Sequence, residues 1–239
     1  MKSKEHVPQE AARDQAAGRI AAGQLALEMM HEVRNSLEAL NHLLHLGLKT
    51  TGGLEEVRHY MNLAQEQVAV LNEIAGSSLT FARSPSLPRP TCLVGLTEAG
   101  IRIHRGVIEA KRIQLVKDLP GELIAEVHGG EMLQVVSNLV ANALDALPPG
   151  GTLRIRLRRR ADEAHLLIAD NGIGISKAIY TRIFEPFFTT KETGTGLGLA
   201  FSERIVKGHG GRIRLRSSVR PGKSGTVFKI ALPLRQQAP

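Results

Sequence analysis

Apolar residues recur at heptad spacing in two stretches joined by a turn, and this double pattern restricts the N-terminal third of the chain to a helical hairpin. Ala26, Met30, Val33, Leu37, Leu40 and Leu44 follow one another at intervals of 4, 3, 4, 3 and 4. Leu54, Val57, Met61, Ala64, Val68, Leu71 and Ala75 do so at 3, 4, 3, 4, 3 and 4. Each run is an a/d seam of an amphipathic helix. Between them Lys49-Thr50-Thr51-Gly52-Gly53 holds turn residues and no periodic apolar position. A link this short makes the helices antiparallel neighbours. One hairpin leaves its stripe uncovered, whereas two make a four-helix bundle, so the segment 20–84 is expected to form a homodimer, with 1–19 as an N-terminal extension.

Ser84-Pro85-Ser86-Leu87-Pro88-Arg89-Pro90 then stops the helix and stiffens the connection. Residues 85–91 are read as the linker and 92–239 as a second domain. Its periodicity mixes the two types. Helical patterns fall around 93–111, 130–147 and 197–209, and strand patterns around 113–118, 123–127, 152–159, 164–169, 212–217 and 225–233. Such mixing predicts an α/β sandwich, a mixed sheet with helices on one face.

Composition narrows the function classes. The net charge is +8, aromatics are 3% and Trp is absent. A base-stacking platform for nucleic acid is therefore not expected. Much of the positive charge alternates with apolar residues, as in Leu153-Arg154-Ile155-Arg156-Leu157-Arg158, the pattern of a strand with one face in solvent. No apolar run approaches the roughly 18 residues of a membrane span. The first residues, MKSKEHVPQEAARDQ, have no signal-peptide core. The lone Cys92 cannot pair within the chain. These features predict a soluble, cytoplasmic protein.

Candidate chemistry lies in four places. With Met30 at heptad position a, His31 falls at the outward b position, Glu32 at c and Asn35 at f, one turn beyond His31. Asn138 and Asn142 share a helix face, and an amide oxygen suits Mg2+. Asp170 ends a strand and opens Asp170-Asn171-Gly172-Ile173-Gly174, where a carboxylate can accept from a purine amino group. Gly194-Thr195-Gly196-Leu197-Gly198-Leu199 opens a helix, where backbone N–H groups and the helix dipole favour phosphate. Phe184, Phe187 and Phe188 lie between the last two and suggest a lid with an aromatic anchor.

In this order the motifs resemble those of sensor histidine kinases. HEVRNSLEAL is similar to their phosphoacceptor box, NLVANALDAL to the asparagine box, and DNGIGI, IFEPFFTTK and GTGLGLA to the glycine and phenylalanine boxes. The resemblance covers about residues 20–235. It implies that His31 accepts the γ-phosphoryl of ATP, that Glu32 polarises its ring, and that Asn142 carries Mg2+ with Asn138 in support. It implies that Asp170 reads adenine, that Gly172 and Gly174 line the ring, and that Gly194, Thr195, Gly196 and Gly198 hold the phosphates. Asp145, Ile175, Thr190, Lys191, Leu197 and Leu199 fall inside the same boxes as nucleotide-binding positions, and Thr226 resembles a threonine that fixes the adenine-binding carboxylate through water. The implied partners are a response-regulator receiver domain, whose aspartate takes the phosphoryl group, and an upstream sensor module or protein, because only about 20 residues precede the helical segment. Asn35 stands where related motifs position water for regulator dephosphorylation. Ser36 stands where many members carry Pro, which implies a straighter helix. The competing function is an ATP-driven conformational clamp of the gyrase or chaperone type, which lacks the histidine hairpin. A non-catalytic dimeric scaffold would require a degraded nucleotide site.

Overall fold

The computed structural model describes residues 29–82 and 87–235, apart from 32, 52, 192 and 193, with the backbone alone at 66, 69, 72, 73 and 75–82. The chain divides into two compact units. One comprises the chain up to Ser78 together with Lys191–Thr195, and the other Leu79–Thr190 with Gly196–Pro239.

In the first unit, helix α1 (29–49) and helix α2 (Leu54–Ala82) form the expected hairpin. Thr50 N–H still donates to the Leu46 carbonyl at 2.9 Å, and Gly53 turns the chain at φ 84°. Gly47 brings the helices together: a Cβ there would lie 3.3 Å from Met61 Cε and 3.6 Å from Tyr60 Cβ. The inward face differs from the expected seam. Met29 is 6% exposed and Ser36 is buried, while Met30 is 68% exposed and Leu37 and Leu44 are exposed as well. Met29, Val33, Ser36, Leu40, Leu43 and Gly47 follow intervals of 4, 3, 4, 3 and 4. Helix α1 thus carries two stripes, one at these positions and one through Met30, Leu37 and Leu44. A single heptad count cannot separate two stripes offset by one residue. Ala26 lies outside the described residues.

The second unit is built on a five-stranded mixed sheet of order β2-β4-β5-β7-β6. Its strands are β2 (Gln114–Asp118), β4 (Thr152–Arg160), β5 (Glu163–Asp170), β6 (Arg212–Ser218) and β7 (Gly225–Pro233). β2 runs parallel to β4, and the other pairings are antiparallel. The alternation of β4 dictates its two faces. Leu153, Ile155 and Leu157 are buried, each worth about 1.5–3 kcal/mol of apolar burial, while Arg154, Arg156 and Arg158 stay in solvent. Glu163 and Arg212 pair on that open face, and His165 Nε2 lies 2.9 Å from the same carboxylate.

Three helices cover the core: α3 (Leu93–Ile103), α5 (Gly129–Ala146) and α6 (Gly198–Gly208), with α5 against β5 and α6 against β6. A short α4 (Arg105–Ala110) leads into β2. α5 buries Met132, Val135, Val136, Leu139, Val140, Ala143 and Leu144, the wide apolar stripe of a helix between a sheet and two other helices. His209, 2% exposed, fastens the end of α6 to the start of α5. Its Nδ1 lies 2.8 Å from the Ile205 carbonyl, and its Nε2 accepts the His128 backbone N–H at 3.0 Å.

A second, two-stranded sheet pairs β1 (Arg89–Cys92) with β3 (Ile124–Val127). β1 occupies a stretch that the sequence reads as linker. Pro90 is tolerated there because β1 has one neighbour only, so a missing N–H interrupts no ladder on the other side.

Candidate functional site

The helix-facing side of the sheet consists of parallel rows of side chains. One row is Ile155, Ile168, Phe228 and Leu215; the next toward the sheet end is Leu153, Asp170, Thr226 and Ser217. Three polar residues thus replace an apolar layer at the rim. Asp170 is half-buried and Thr226 is buried. Asp170 Oδ1 accepts the N–H of Gly172 at 2.9 Å and of Thr226 at 3.2 Å. Burial pushes the Asp170 carboxyl up from its ordinary value, and those backbone donors pull it partly back. The result is a fixed acceptor in a partly desolvated rim.

The Asp170–Ile175 loop wraps this carboxylate. Gly172 is buried, and the adjacent Ile173 N–H donates to the Ala146 carbonyl at the end of α5. Gly174 has φ 75°, and a Cβ there would stand 2.0 Å from the Ser218 carbonyl oxygen, so no other residue fits. Ile175 N–H donates to Ser217 Oγ at 2.7 Å, and its side chain packs against the core. Ser217 has no signal in the sequence; only the register of β6 with β7 brings it beside Thr226.

On α5, Asn138 Nδ2 donates to the Gly198 carbonyl at 3.2 Å, which ties the middle of α5 to the first residue of α6. Ser202 Oγ donates to the same carbonyl at 2.8 Å. Asn142, one turn further along α5, is half-buried, and Asp145 is exposed. At the start of α6, the N-cap residue Leu197 is fully buried and its own side chain makes no capping bond, and Leu199 packs against the core. A helix start preceded by glycines presents backbone N–H groups and the positive end of the helix dipole, which favour an anion. Gly196 has φ 69° and lies against the Phe187–Phe188 backbone.

The segment 176–188 is a chain of turns anchored to the core, not an open flap. Phe184 and Phe188 pack against the core, Ile183 is buried, and Tyr180 donates to the Leu215 carbonyl. The Arg182 guanidinium lies 4.3 Å from the Phe188 ring centroid. Phe187 sits at φ 62°, an unfavourable value for an aromatic residue that the Gly196 contact accompanies. Thr190 is exposed, as is Lys191. Lys191, Gly194 and Thr195 belong to the first unit, whereas Gly196, Leu197, Gly198 and Leu199 belong to the second.

In the first unit His31 and Asn35 are both exposed on α1. Glu32 lies outside the described residues. Asp170, Gly172, Gly174, Ile175 and Thr226 form one connected cluster; Asn138 and Gly198 form another.

Residues 129–236 match the family described as histidine kinase-, DNA gyrase B- and HSP90-like ATPase. The chain is 33% identical over 219 residues to the signal transduction histidine-protein kinase AtoS of Escherichia coli (strain K12), covering 90% of this chain and 35% of that protein. It is 34% identical over 234 residues to the sensor protein kinase FleS of Pseudomonas aeruginosa, covering 92% and 54%. Among solved structures, the catalytic domain of histidine kinase ThkA superposes with a TM-score of 0.58 at 27% identity, covering 64% of this chain and 98% of that one. The same kinase in complex with the response regulator TrrA shares the fold at a TM-score of 0.74 and 22% identity, covering 98% and 68%. Residues 129–236 thus form an ATPase domain of this family, and nine-tenths of the chain is similar to parts of proteins named as histidine or sensor kinases. The chain spans about a third of the length of AtoS and about half that of FleS.

Proposed function

We propose that the chain is an ATP-dependent histidine kinase that phosphorylates its own His31 and passes the phosphoryl group to an aspartate of a response-regulator receiver domain. The observation that carries this reading is the coexistence in one chain of a solvent-exposed His31 on a helical hairpin, the Asp170–Gly172–Thr226 cluster, and the Asn138 bond to the first residue of α6. Adenine is held by its amino group on Asp170, and the phosphates by the N–H groups around Gly196 and Gly198. A ring nitrogen of His31 attacks the γ-phosphorus, an N–P bond forms, the bond to the β-phosphate oxygen breaks, and ADP leaves with the electron pair. Glu32 polarises the imidazole in this scheme.

The donor set fits Mg2+. Asn142 offers a hard neutral oxygen on the face that Asn138 turns toward Gly198, and Mg2+ takes few protein ligands beside phosphates and water. When bound, the ion neutralises charge on the phosphates. Asn142 would hold it; Asn138 keeps α5 and the start of α6 in register.

The exposed stripe Met30, Leu37 and Leu44 on α1, matched by Leu54, Met61 and Val68 on α2, repeats at intervals of seven. This is the seam a second copy covers, which supports a homodimeric four-helix bundle. No helix among the described residues is long and apolar enough to cross a membrane. We take the chain to work in the cytoplasm, with its signal arriving from an upstream sensor module or protein.

The curated relatives favour this reading over a gyrase-type clamp. Calorimetric titration with Mg·ATP, followed by phosphotransfer from the labelled protein to a panel of receiver domains, tests it. Saturable binding and loss of label to a receiver aspartate are expected. Steady ATP turnover with no phosphoprotein would instead select the clamp.

A further inference from the structure

Ser217 joins the glycine loop to the rim row, and its hydrogen bonds fix the direction of every proton there. A serine hydroxyl has one proton and two lone pairs. Ser217 Oγ receives the Ile175 N–H at 2.7 Å, lies 2.8 Å from the Gly225 carbonyl and 3.0 Å from Thr226 Oγ1. A carbonyl can only accept, so the Ser217 proton goes to Gly225. The bond between the two hydroxyls must then be made by the Thr226 proton. Thr226 Oγ1 is left with lone pairs alone. Beside it, Asp170 Oδ1 accepts two backbone N–H groups, and as a carboxylate it has nothing to donate.

We propose that Ser217 is a positioning residue for nucleobase specificity: by consuming the Thr226 proton it makes the rim an all-acceptor edge, which selects a 6-amino purine and rejects a 6-oxo purine. This deepens the assignment of Asp170 and Thr226 to the adenine subsite and rests on it. The discrimination lies at the purine 6 position, where an amino group offers two protons to these acceptors and an oxo group sets lone pair against lone pair. Sites that read a donor by hydrogen bonding discriminate strongly for that reason. Removing the Ser217 hydroxyl releases the Thr226 proton, which can then turn to meet an oxo group.

The test measures dissociation constants of the full chain for Mg·ATP and Mg·ITP, whose base carries an oxo group where adenine carries an amino group. Wild type is expected to prefer ATP. Ser217→Ala should narrow the ATP/ITP ratio by about tenfold, the effect of one hydrogen bond of about 1.4 kcal/mol. Ser217→Thr, which keeps the hydroxyl, should restore the ratio. If Ser217→Ala does not fold, Ser217→Cys carries the same test, because a thiol donates and accepts only weakly. A ratio that stays constant while both affinities fall together would overturn the proposal and reduce Ser217 to a structural prop. Wild type that binds neither nucleotide would contradict the nucleotide site itself.

Discussion

The Thr226 N–H donates to Asp170 Oδ1 at 3.2 Å between register partners on β7 and β5. The carboxylate proposed to read adenine is therefore positioned by the sheet ladder itself and needs no flexible side chain to hold it. Because the same oxygen also takes the Gly172 N–H, one carboxylate coordinates strand and loop.

That arrangement costs stability and predicts a pH dependence. Burial raises the Asp170 carboxyl above its ordinary 3.8. An acid whose pKa is higher in the folded state binds protons more readily folded than unfolded. Its contribution is thus most favourable at low pH and is lost as pH rises through the folded value. Asp170→Asn, whose amide oxygen can still accept both N–H groups, should melt no lower than wild type at neutral pH. Its affinity for Mg·ATP should fall by about tenfold to a hundredfold, the cost of losing a charged hydrogen bond. Wild-type affinity should fall as pH drops through the raised pKa, at a higher pH than an ordinary aspartate would give. Calorimetry and thermal melts across pH check both.

Gly174→Ala should abolish nucleotide binding. The added Cβ would meet the Ser218 carbonyl at 2.0 Å in a left-handed backbone, so the loop must leave the Asp170 rim. Strain of this kind costs about 1–3 kcal/mol or more. Fluorescent-nucleotide titration should show the loss, while far-ultraviolet circular dichroism remains that of wild type.

Leu37→Glu combined with Leu44→Glu should convert a dimer to a monomer. Both leucines are exposed on a single chain, so the substitutions leave the hairpin's own interior intact and charge the outer seam. Light scattering reads the mass; an unchanged mass would remove the seam from the interface.

Asn35→Ala should lower regulator dephosphorylation at least tenfold more than autophosphorylation, because Asn35 is exposed on α1 one turn from His31 and is none of the residues proposed to bind nucleotide. Parallel assays of the two rates check this. Equal losses would make Asn35 a residue that only shapes the helix.

Much of this was legible in the residues. The glycine-punctuated alternation over 225–233 marked β7 at its observed bounds, and the apolar stripe marked α5 to within one residue. Strong periodicity is a local property, so it survives folding. What failed was non-local. β1 escaped because Pro85, Pro88 and Pro90 read as linker, and only pairing with β3 makes the stretch a strand. On α1 the inner stripe keeps Val33 and Leu40 but takes Met29, Ser36 and Leu43 in place of Met30, Leu37 and Leu44, and one heptad count does not separate the two. The loop that gathers Asp170, Gly172 and Gly174 is legible as a motif, whereas Ser217 is not: a serine between Arg216 and Ser218 meets Thr226 and Ile175 only through the fold.

The most direct test of the central claim is incubation with γ-labelled ATP and Mg2+, comparing wild type, Asp170→Asn and His31→Ala. Label should appear on wild type with the acid-labile, alkali-stable behaviour of phosphohistidine, fall sharply in Asp170→Asn, and vanish in His31→Ala while that variant still binds Mg·ATP. Label that persists undiminished in His31→Ala would contradict the assignment.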